Sequence, residues 1–103
     1  MSKFYIKWRK NQYTIPTNPE EQVKLWMTLL EWVKADIKAG LFTEWGACCD
    51  SASGYCITEG DEVSLHAQIL KYQPFIVFDI KPVLSVDQTF ESIQRAVAAA
   101  KGR

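Results

Sequence analysis

The chain has 103 residues, twelve Lys or Arg against twelve Asp or Glu, and a net charge of zero. Its 48% hydrophobic content excludes a disordered chain and supplies one small core rather than two, so residues 1–103 are expected to form a single domain. Zero net charge argues against a nucleic-acid or anionic-membrane binder held by bulk electrostatics, and no apolar run approaches the roughly 20 residues of a membrane span.

Residues 3–9 alternate, with Phe4, Ile6 and Trp8 on one side and Tyr5, Lys7 and Arg9 on the other, which predicts a first strand. Residues 10–18 are polar, contain a Pro and read as a loop. Asn18-Pro19-Glu20-Glu21 is a helix start: Asn18 caps, Pro19 suits the first helical position, and Glu21 sits where a capping acid belongs. Val23, Trp26, Leu30, Val33 and Ile37 then recur at helical spacing and predict a helix over 19–39 that stops at Gly40.

Residues 41–49 and 55–59 read as two strands of a hairpin, joined by the turn chemistry of Asp50 to Gly54. Asp61 opens a shorter helix with Val63, Ala67 and Leu70 on its apolar face, and Pro74 stops it. Residues 75–83 predict a last strand, with Ile76, Phe78 and Ile80 on one face and Pro82 near an edge. Ser85 and Gln88 form a capping box before a terminal helix marked by Phe90, Ile93, Val97 and Ala100.

The order β-α-β-β-α-β plus one helix predicts an α+β, ferredoxin-like fold: a four-stranded antiparallel sheet with two helices on one face. The opposite face then carries Tyr5, Lys7 and Arg9 beside Phe75, Val77, Asp79 and Lys81. A solvated sheet face is mostly polar, and this one is mixed. Its cover is the terminal helix, a partner's sheet, or both; the plainer alternative is a wet face with a few aromatics. Leu25 and Trp32, seven residues apart and off the main stripe of the first helix, mark either a second contact surface or a patch that the terminal helix or a loop of the same chain covers.

The stretches Gly40-Leu-Phe-Thr-Glu-Trp-Gly46, Ser53-Gly-Tyr-Cys-Ile-Thr-Glu-Gly60 and Phe78-Asp-Ile-Lys-Pro-Val-Leu84 resemble the dimeric α/β-barrel superfamily, nearest its small uncharacterised members. The layout is also similar to muconolactone isomerase-like proteins. The resemblance runs from the first strand through the last and rests on structural motifs. It implies two sheets paired across a two-fold axis, and hence a homodimer or higher homo-oligomer. Activities in that superfamily include isomerases, oxygenases without cofactors, haem enzymes and ligand-binding regulators. No catalytic motif of any of them can be placed here, so no catalytic residue is assigned and no cofactor is expected.

The candidate ligand-binding residues are Tyr5, Lys7, Glu44, Cys56, Thr58 and Asp79. Lys7 and Asp79 fall on neighbouring antiparallel strands and on the same face, where a desolvated pair has shifted pKa values; an ordinary cross-strand pair is the plainer reading. With the turn at 50–54, Cys48 faces Cys56, and Glu44, Cys56 and Thr58 join that face. A one-residue slip reverses the assignment.

Cys48, Cys49 and Cys56 lack zinc spacing, so no metal is expected; their odd number suits a reducing compartment, the cytoplasm, and no signal peptide is read at the start. His66, the only histidine, sits at the edge of an apolar helix face and reads as a packed or half-exposed residue rather than a catalyst. The expected function is binding of a small, partly apolar ligand between sheet faces, with or without cofactor-free isomerase or oxygenase chemistry. The alternatives are a protein-interaction module using Leu25 and Trp32, and an RNA-binding domain. The last lacks the required aromatics, since Ser53-Gly54-Tyr55-Cys56-Ile57 supplies one.

Overall fold

The computed structural model describes residues 2–102. The elements are β1 (Ser2–Lys10), α1 (Pro19–Lys38), β2 (Glu44–Ala47), β3 (Ser53–Gly60), α2 (Glu62–Leu70), β4 (Ile76–Val83) and α3 (Val86–Lys101). The strands form one antiparallel sheet in the order β2-β3-β1-β4, the arrangement of a ferredoxin-like α+β fold. Among the described residues no helix is long and apolar enough to cross a membrane.

Each helix begins where its cap chemistry dictates. The Asn18 side chain accepts from the Glu20 and Glu21 amides, with Pro19 in the first turn. Asp61 accepts from the Ser64 amide. Ser85 and Gln88 close a reciprocal capping box. After α1 the chain leaves through Gly40 at φ 79°, a left-handed conformation that costs glycine little.

The core lies on one face of the sheet. Phe4, Ile6 and Trp8 alternate inward from β1, beside Cys56 of β3. Leu29 and Val33 of α1, Leu65 and Ile69 of α2, and Phe42 and Tyr72 from the connections close over them. Thr58 is buried on the same face and satisfies its hydroxyl by donating to the Leu41 carbonyl, which ties the α1–β2 connection to the sheet.

Four expectations are corrected. First, the hairpin register is three residues away from that expected, an odd shift that exchanges the two faces. Trp45 pairs with Cys56 and Glu44 with Ile57, while the Cys48 amide donates to the Ser53 carbonyl. The loop closes tightly because the Asp50 carboxylate accepts from the Ala52 amide and Ser51 takes φ 63°. Gly54 is therefore a strand residue. Cys56 and Thr58 face the core, and only Glu44 of that trio lies on the second face.

Second, α1 is rotated from its expected stripe. Leu29, Val33 and Asp36 are buried and Leu25 and Trp26 pack on the core, while Val23, Leu30 and Ile37 are exposed. The helix carries two overlapping apolar stripes. The inward one is the one whose Asp36 meets a tyrosine and a lysine. Leu25 is therefore a core residue, and Trp32 stacks edge-on against Tyr72.

Third, α2 buries Leu65, Gln68 and Ile69, not Val63, Ala67 and Leu70. Leu65, Ile69 and Tyr72, at i, i+4 and i+7, form the bulkier inward row. Phe75, expected on the second face, also packs on the core.

Fourth, α3 does not cover the second face of its own sheet. None of its residues is buried. The molecule measures 63 × 27 × 24 Å, and its radius of gyration of 17.7 Å exceeds the roughly 13 Å of a compact chain this long. The terminal helix projects from the body.

Candidate functional site

A half-open cavity of about 240 Å³ lies between α1 and the core face of the sheet. Six aromatic side chains line it: Trp8, Trp26, Phe42, Trp45, Tyr72 and Phe78. Trp8 and Trp45 stack with ring centroids 5.4 Å apart at 14°, a side-by-side placement set by the hairpin register. Gly54 makes this packing possible. A Cβ there would stand 2.3 Å from the Trp8 ring and 2.2 Å from the Gly46 carbonyl oxygen.

The polar groups of the cavity wall are few. The Trp8 Nε1–H is buried and has no acceptor among the described residues. Burial pushes the Cys56 thiol up to about 12, so it is neutral and unreactive near neutral pH. The Tyr72 phenol is raised above its ordinary range, first by burial and then by its hydrogen bond to Asp36. It donates to Asp36 Oδ2 at 2.6 Å, and Lys71 Nζ reaches Asp36 Oδ1 at 2.6 Å. This buried carboxylate is thus doubly engaged and joins α1 to the end of α2.

Lys10 stands at the mouth. Its backbone N–H donates to the Ala52 carbonyl, fixing the end of β1 against the β2–β3 loop. Its ammonium lies 4.1 Å from the centroid of the Trp26 ring. Partial burial lowers its pKa, and the nearby Asp50 carboxylate partly counters that.

The expected site residues divide between two faces. Tyr5, Lys7, Glu44 and Asp79 share the second face, where Lys7 is the direct cross-strand partner of both Tyr55 and Asp79. Lys7 and Asp79 do not approach within ion-pair distance. Glu44 accepts a 3.0 Å hydrogen bond from the Tyr55 hydroxyl, which raises the tyrosine's pKa. Cys56 alone of the six lines the aromatic cavity, and Thr58 lies elsewhere on the core face.

Sequence reading did not find Trp26, Trp45 and Lys10 as neighbours, nor Asp36 with Tyr72. The signals present were four tryptophans in 103 residues and an acid inside an apolar helix stripe.

Fold and cavity together define a small α+β domain of ferredoxin-like topology with an aromatic chamber between helix and sheet. Over residues 2–97 the chain matches the family described as Domain of unknown function (DUF3303), and it belongs to that family. A search of curated proteins finds no match.

Proposed function

We propose that this protein binds a small apolar molecule in the chamber between α1 and the sheet, rather than between the faces of two sheets. The observation that carries this reading is the aromatic cavity itself, held open beside the stacked Trp8–Trp45 pair. Its volume exceeds the roughly 150 Å³ that suffices for benzene in an apolar cavity. The thiol and phenol in its wall both stay protonated at neutral pH, which favours binding over acid–base turnover. Titration with toluene, followed by tryptophan fluorescence, is expected to saturate, and Leu30→Trp at the cavity wall is expected to abolish the response. A linear response up to the solubility limit refutes the reading.

The same proposal includes a homodimer of the dimeric α/β-barrel kind. The second face presents Tyr5, Tyr55, Ile57 and Val77 among charges, and α3 presents Val86, Phe90, Ile93 and Val97, with none of the described elements over either. A second copy supplies both covers at once through a two-fold axis. Light scattering at micromolar concentration is expected to give twice the chain mass; a strict monomer removes this part. The exposed Cys48 and Cys49 fit a reducing compartment, the cytoplasm.

A further inference from the structure

We propose that the molecule held in the chamber is a small aromatic carboxylate, with its ring against the tryptophan wall and its carboxylate at Lys10. This rests on the ligand-binding reading above and narrows it to a chemical class.

The ring follows from the wall. Trp8, Trp26 and Trp45 offer flat faces against which one ring stacks offset or edge-on. The volume of about 240 Å³ takes one ring with a substituent, and a long acyl chain exceeds it.

The charge follows from the mouth. Among the described residues, Lys10 is the only charged one lining the chamber. Its ammonium enters no ion pair among the described residues. Asp50, the acid nearest in effect, is occupied: it accepts from the Ala52 amide and the Ser53 hydroxyl. Lys10 rests on Trp26 instead, partly desolvated and directed over the aromatic wall. An occupant that brings one negative charge answers this unpaired cation. An amine meets like charge at the mouth. A doubly charged phosphate finds one cation where it needs two.

The test uses the full chain with benzoate and benzyl alcohol as probes, near in size and differing in charge. Tryptophan fluorescence and calorimetric titration are expected to give benzoate an affinity about ten-fold tighter at low salt. Added 0.5 M sodium chloride is expected to weaken benzoate and leave benzyl alcohol within two-fold. Lys10→Gln is expected to erase the preference, while Lys10→Arg keeps it. Benzyl alcohol binding by Lys10→Gln certifies that its chamber is intact. Saturable benzyl alcohol binding with equal or weaker benzoate binding overturns the carboxylate assignment and leaves the ligand-binding reading standing. Binding of neither probe overturns both.

Discussion

Helices α1 and α3 make an instructive pair. Both start at well-formed caps, and both carry an apolar stripe. The pattern of α3 is the cleaner: Val86, Phe90, Ile93 and Val97 form one narrow row with polar residues opposite. Yet those four residues are 73%, 64%, 58% and 50% exposed. The pattern of α1 is the more ambiguous, with two overlapping apolar stripes, and it is α1 that closes the core. Periodicity states that a face wants a cover. It does not state which surface provides it, because the cover is set by the connections at the helix ends. The α1 helix enters and leaves within reach of the sheet, whereas α3 follows β4 with only two intervening residues and continues away from the body.

The contrast can be broken at several points. The largest effect is expected beneath α1. Ile6 is fully buried, so Ile6→Ala is expected to cost about 2–5 kcal/mol in urea unfolding. A loss below about 1 kcal/mol would mean that α1 does not seal the core.

An intermediate effect is expected from pH. The Cys56 thiol ionises near 9 when exposed and near 12 when folded. A raised folded pKa gives stability that is complete below pH 9 and is lost as the pH climbs toward 12. About 2 kcal/mol is expected to disappear by about pH 11, with Tyr72 acting in the same direction. Cys56→Ala is expected to flatten this slope, and a slope unchanged by it would contradict the burial.

The smallest effect is expected on α3. Phe90→Ser in dilute, monomeric protein is expected to change unfolding stability by less than about 0.5 kcal/mol. A loss above 1 kcal/mol would place α3 on its own chain. At higher concentration the same variant is expected to weaken self-association.

Much of the fold was legible because it rests on local rules. Alternation in β1, the caps at Asn18, Asp61 and Ser85, and the order of the elements all appear in the structure. The site was less legible. Of the six expected residues, Tyr5, Lys7, Glu44 and Asp79 do share a face, but Cys56 and Thr58 turn to the other one. That error turned on a three-residue shift of register, which flips faces as any odd shift does, decided by the Asp50 turn and by the need to place Gly54 under Trp8.

The amino-acid sequence by itself determined the elements, their order and the inward row of β1, since each depends on neighbours a few positions away. Only the tertiary structure decided which stripe of α1 is buried, that Lys10 closes an aromatic chamber, and that α3 stands free. Those facts depend on contacts between residues far apart in the chain, such as Asp36 with Tyr72 and Trp8 with Trp45. Local patterning leaves such contacts open because several pairings satisfy it equally well, and packing selects among them.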